Sequence, residues 1–227
     1  AGVSGAQVLA VGAAGHGNGL YLLDREGQGL VGIQSMDNRA ETLASEIAAV
    51  HGDEILTRAQ SRPWPAMTPV LLRWMAENRP EIMARAHVAL LCKDVIVHGL
   101  TGRMGSEVSD LAGAGLLALP ALQYDDALLR LYGIEGLRHI LPEPAQSDAV
   151  VGHVTAAAAE ATGLAKGTPV VGGLFDVLAS TLGAGTSQPG EASIVAGSWS
   201  INQVFARALP EKPRALLASV LGRDTWV

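Results

Sequence analysis

Asp176 is the residue best placed to do chemistry. It ends the run Val170-Val171-Gly172-Gly173-Leu174-Phe175-Asp176, where an apolar strand breaks into glycines and delivers a carboxylate at the start of a helix. Such a carboxylate reads as a helix N-cap and equally as a general base at the carboxyl end of a strand, where α/β clefts open. The glycines before it let a ligand or another backbone come close. Near the other end of the chain stands Gly15-His16-Gly17-Asn18-Gly19. It reads as a flexible hairpin loop or as a polar-ligand loop, because His16 and Asn18 both donate and accept toward hydroxyls. A third candidate is Ala196-Gly197-Ser198-Trp199-Ser200 after an apolar strand. It is an ordinary hairpin, or else a turn whose backbone N–H groups meet phosphate oxygens. In Ser35-Met36-Asp37-Asn38-Arg39, Asp37 reads as a cap, whereas Arg39 at the second helical position opposes the helix dipole. A specific partner is therefore expected for Arg39.

The remaining reactive side chains carry weaker signals. His51, His87, His98, His139 and His153 lack metal-ligand spacing and read as ordinary surface or core residues. Cys92 lies in an apolar run and reads as an inert core thiol. No phosphate loop of the GxxxxGK[ST] type, dinucleotide fingerprint or zinc pattern is present.

The elements that must hold these residues follow from periodicity and punctuation. Strands are expected over 7–14, 20–24 and 29–34, and a helix over 38–50, where Leu43, Ile47 and Val50 share a face. Thr68 reads as the N-cap of a helix that opens on Pro69 and stops before Pro80. Short helices are expected over 81–87, 94–100 and 125–132, and a strand over 88–92. The alanine-rich run 155–162 reads as a helix, 168–172 as a buried strand and 176–182 as a helix. Strands over 191–196 and 201–205, and one opening at 223, complete the chain.

Composition narrows the classes. The 227 residues amount to one large domain or two small ones, at roughly 150 residues per domain. Hydrophobic residues make up 48% and charged residues 17%, the reverse of a disordered composition. Aromatics are only 4%, so aliphatic side chains must fill the core. The net charge is -6 without a basic stripe, which leaves nucleic-acid binding unsupported. A single cysteine excludes a disulfide scaffold. No apolar run of about 18 residues suggests a membrane span, and the opening residues do not read as a signal peptide. The chain opens on Ala1 without an initiator methionine, so residue 1 need not be the natural start.

Taken together and in order, several segments resemble the FGGY carbohydrate kinase family. They are GHGNGLYLLD, SMDNRA, RPWPAMTPVLLRWMAENRPE, CKDVIVHGLTG, GHVTAAAAEATGLAKGTPVVGGLFDV and AGSWS. The resemblance implies the α/β, ribonuclease-H-like domains shared with actin, hexokinase and Hsp70, with a mixed sheet and flanking helices. By the resemblance, that fold would be incomplete here. The chain starts beyond the family's first strand, with its Asp-x-Gly-Thr-like turn, and stops before the glycine-rich adenosine segment. Residues 1–187 would be the later part of the sugar-binding domain, and 188–227 the first strands of the nucleotide-binding domain. The resemblance makes Asp176 the catalytic base. It gives His16, Gly17, Asn18, Asp176 and Trp64 to the sugar, and Gly197 and Ser198 to ATP phosphates. It implies ATP and Mg²⁺ as cofactors, with no metal ligand assigned to the chain. The implied substrate is a ketopentose of the L-xylulose kind. Alternatives are erythritol, D-xylulose or glycerol, or a non-catalytic sugar-binding fragment. Glycerol kinases carry larger charged groups where Gly17 and Asn18 stand, which disfavours glycerol. The expected partner is a small sugar, not nucleic acid or membrane, in the cytoplasm, and a homodimer is left open.

Overall fold

The computed structural model describes residues 2–196, 200–222 and 225–227. A three-residue 3-10 turn, Gly5–Gln7, precedes β1 (Ala14–Gly15), β2 (Leu20–Leu23) and β3 (Gly29–Ile33). Then come α1 (Glu41–Ala59), α2 (Thr68–Asn78), α3 (Pro80–Met83) and β4 (Val88–Leu90). The middle of the chain holds α4 (Cys92–Thr101), β5 (Ser106–Glu107), α5 (Val108–Gly113) and α6 (Asp126–Tyr132). A 3-10 helix, Glu135–Ile140, leads to β6 (Pro144–Ala145), β7 (Val150–His153), α7 (Ala156–Thr162) and β8 (Pro169–Val171). The chain continues through β9 (Leu174–Phe175) and α8 (Asp176–Gly183). Two antiparallel pairs follow, β10 (Ala192–Ala196) with β11 (Ser200–Val204), and β12 (Val220–Leu221) with β13 (Thr225–Trp226).

β2 is the centre of a three-stranded antiparallel sheet, β3-β2-β4. Successive side chains of a strand point to opposite faces, and here both faces are covered. Leu20 and Leu22 enter the main core, while Tyr21 and Leu23 pack with Val88 and Leu90. This double burial explains why Leu20–Leu23 reads as a continuous apolar run. Helices α1, α2 and α6 roof the main core with Ile47, Ile55, Leu71, Leu72, Leu128 and Tyr132. Fully burying one such side chain contributes about 1.5–3 kcal/mol. A second cluster joins α4, α7 and β8 through Val97, Leu100, Ala158 and Val170. Among the described residues, no helix is long and apolar enough to cross a membrane.

Several sequence expectations change, and the helix expected over 81–87 shortens to Pro80–Met83. The strand expected over 7–14 pairs only late: Val11 bridges Val170, and the ladder proper is β1. Leu9, at 87% exposure, has no face to bury. The helix expected to stop at Val50 runs on to Ala59 through Gly52. A mid-helix glycine costs roughly 0.5–1 kcal/mol, and the burial of Ile55, Leu56 and Ala59 outweighs it. Thr68 does not cap α2. Met67 holds that position, and the Thr68 hydroxyl donates to Gly19 O at 2.9 Å.

Candidate functional site

β1 and β9 run parallel, with Ala14 opposite Leu174 and Gly15 opposite Phe175. The next residue on each strand is the reactive one. His16 leaves β1 and Asp176 leaves β9, so an imidazole and a carboxylate stand side by side at the carboxyl ends of paired strands. Open α/β sheets bind ligands there. The register depends on Gly173, at φ 85°: a Cβ there would lie 2.2 Å from Ala13 O.

Asp176 is half-buried at the first position of α8. Burial raises its carboxyl above the ordinary value, and the Val177 backbone N–H and the His16 imidazole only partly oppose that rise. A carboxyl raised in this way suits general-base chemistry near neutral pH better than an ordinary aspartate does. His16 has Nε2 2.9 Å from the Tyr21 hydroxyl and Nδ1 3.3 Å from Gly17 O. Burial, helped by Cys92, pushes Tyr21 up to about 12, so its hydroxyl stays protonated. Cys92 is not part of a buried strand as expected. It opens α4, half-buried, and hydrogen-bonds Tyr21. Burial raises its thiol, which keeps it protonated and weakly nucleophilic.

Gly17 and Asn18 hold the loop. A Cβ on residue 17 would lie 2.4 Å from the Phe175 ring, so only glycine lets loop and strand meet. Asn18, at φ 62°, is 1% exposed. Its Nδ2 donates to Gly113 O and its Oδ1 accepts from Thr68 N, both at 3.3 Å. The family resemblance assigns Asn18 to a sugar, and within the protein both ends of its amide are engaged. Gly19 N donates to Ala66 O at 2.9 Å, which brings the segment carrying Trp64 alongside the glycine loop. Trp64 itself is half-buried against the main core. Gly197 and Ser198 lie outside the described residues.

Arg39 finds its partner locally. Its Nε and Nη2 donate to the Asp37 carboxylate at 2.8 and 2.9 Å, and its guanidinium lies 5.3 Å from the Trp74 ring. The Arg39 bonds hold the Asp37 carboxyl below its usual value. Asp37 therefore does not cap α1, whose N-cap is Ala40.

Sequence reasoning missed a buried ionic cluster in the same region. Lys93 Nζ lies 2.7 Å from Asp94 Oδ1, 3.3 Å from Glu107 Oε1 and 3.4 Å from Asp110 Oδ2. All four residues are at most 1% exposed. Burial alone would lower the Lys93 pKa, but the three carboxyl groups prevail and keep it charged. Burial drives Asp110 far above the carboxylate range, Lys93 only partly opposing, and neither of its oxygens has a hydrogen-bond partner. The available signal was the pair Lys93-Asp94 inside the apolar run 88–97. Charged residues are almost never fully buried unless paired. Among the described residues, no three His, Cys, Asp or Glu side chains are grouped to hold a metal ion.

The chain is similar to known proteins. The chain is 35% identical over 201 residues to a probable L-xylulose kinase of Pasteurella multocida, covering 88% of this chain and 42% of that one. It is 33% identical over 210 residues to the L-xylulose/3-keto-L-gulonate kinase of Escherichia coli, covering 92% and 42%. The crystal structure of xylulose kinase from Rhodospirillum rubrum superposes with a TM-score of 0.87 at 26% identity, over 96% of this chain and 45% of that one. The chain thus spans about 42% of the length of these curated relatives. Residues 1–183 match the N-terminal domain of one family, and the chain belongs to it: the FGGY family of carbohydrate kinases.

Proposed function

We propose that this chain is the sugar-side portion of an ATP-dependent carbohydrate kinase with a ketopentose of the L-xylulose kind as substrate. The observation that carries the reading is the parallel register of β1 with β9, which sets His16 and Asp176 together at the carboxyl ends of both strands. In this reading the Asp176 carboxylate accepts the proton of the attacking sugar hydroxyl as that oxygen bonds the transferred phosphorus. Phosphoryl transfer of this kind relies on positioning and charge stabilisation more than on covalent chemistry. His16 moderates the basicity of Asp176 and would bond a sugar hydroxyl beside it. Gly17 and Asn18 shape the loop, and the Trp64 segment borders it. ATP supplies the phosphoryl group with Mg²⁺ as its counter-ion, and the backbone at Gly197 and Ser198 is the phosphate-side partner. Family membership supports this donor assignment. Residues 1–187 form the later part of the sugar-binding domain, and 188–227 open the nucleotide-binding domain. The substrate class rests on the two L-xylulose kinase relatives.

The test is Asp176→Asn in the full-length protein. Sugar affinity by calorimetry should stay within a few-fold, while sugar-dependent ADP release falls by about 10²–10⁴, the usual contribution of general base catalysis. Near-normal turnover refutes the base. Sugar binding by the parent protein without ADP release identifies a binding module instead of a kinase.

A further inference from the structure

The six-residue helix α5 touches both halves of the site, although none of its residues has a role in the reading above. Glu107 caps it: Oε2 accepts from Ser109 N at 2.7 Å, and Oε1 accepts from Asp110 N at 2.9 Å and from Ser109 Oγ at 2.7 Å. Lys93 Nζ sits 3.3 Å from the same Oε1, and Ser147 Oγ donates to Oε2. Two bonds join α5 to the site. Phe175 N donates to Ser109 Oγ at 3.3 Å, and Asn18 Nδ2 donates to Gly113 O at 3.3 Å. The Phe175 ring also lies against both Gly17 and Gly113, where an added Cβ would be 2.4 and 3.2 Å from ring carbons. One short helix therefore holds the residue before Asp176 and the loop that carries His16.

The polarity of these bonds is fixed. A carboxylate only accepts, so the single Ser109 hydroxyl proton goes to Glu107. The oxygen is left to accept from the Phe175 N–H, whose peptide sets where the next residue, Asp176, starts. We propose that α5, pinned by the buried Lys93–Glu107 pair, registers Asp176 against the glycine loop, and that Ser109 is a positioning residue for the base. The proposal rests on the reading of Asp176 as that base.

Displacement of a reacting group by about 1 Å costs on the order of 100-fold in rate. In the full-length protein, Ser109→Ala should lower kcat by roughly 10- to 100-fold. The KM for sugar and the sugar affinity by calorimetry should stay within about three-fold, because binding does not need the base aligned. Ser109→Cys supplies a weaker acceptor and should fall between the parent and Ser109→Ala in kcat. It also stands in if the alanine variant does not fold. A purely structural Ser109 would instead lower melting temperature, kcat and sugar affinity together in both variants; that result, or parental kcat in either, overturns the proposal. Asp176→Asn separates the two claims. If it keeps turnover, the base reading fails. If it is inactive while Ser109→Ala works at full rate, only the positioning proposal fails.

Discussion

Asp176 stands where the free N–H groups of α8 favour a carboxylate, yet burial outweighs that help and raises its pKa. The pH dependence follows from the direction. As the proposed base, Asp176 acts when ionised, so kcat/KM should fall as pH drops through a value above 3.8, the ordinary aspartate value. His16 pulls that pKa down by charge. His16→Gln removes the pull, so the low-pH limb should move to higher pH. A pH–rate profile on parent and variant checks this, and an unmoved limb denies any influence of His16 on the base. Asp176 and the glycine loop were legible in the sequence because glycines around a polar residue mark close approach. The engagement of Asn18 was not. It depends on Gly113, 95 residues away, and on a backbone N–H of α2.

At the scale of elements, the sequence showed what periodicity carries and missed what tertiary contacts carry. The strands β2, β10 and β11 and the helices α2, α6 and α7 fall within a residue or two of expectation, because each bears its own apolar or punctuating signal. α5 bears none. Six residues are too few for a helical stripe, and isolated helices of this length are unstable in water. Its end is set by Glu107, whose four donors come from Ser109, Asp110 and Ser147. Each buried donor left without a partner costs about 1–3 kcal/mol. Glu107→Ala orphans several at once and should destabilise the protein by at least about 3 kcal/mol in urea unfolding. Glu107→Gln retains an acceptor oxygen and should cost visibly less. An alanine variant within about 1 kcal/mol of the parent would show that α5 is held by packing instead of its cap.

Across the whole molecule, the cluster of Lys93, Asp94, Glu107 and Asp110 sets one ammonium against three carboxyl groups out of contact with water. Burial raises both Asp94 and Asp110, Lys93 partly opposing, and Asp94 and Glu107 add to the rise at Asp110. An acid whose folded pKa lies above its unfolded value binds its proton more tightly when folded. Its contribution to stability is therefore lost as pH rises from about 3.8 toward the folded pKa. Asp37, Asp125 and Glu191 act in the opposite sense, since their lowered pKa values weaken the fold only as pH falls below the ordinary range. The two windows do not overlap, so one substitution isolates the cluster. Asp110→Asn keeps the shape and removes the titration. It should stabilise the protein at pH 8, and the gain should shrink by up to about 1.4 kcal/mol per pH unit on the way down and vanish near pH 4. Melting temperatures of parent and variant across that range measure it. A difference independent of pH, or a loss of stability at pH 8, would mean that Asp110 is ionised in the fold and that Lys93 needs all three partners.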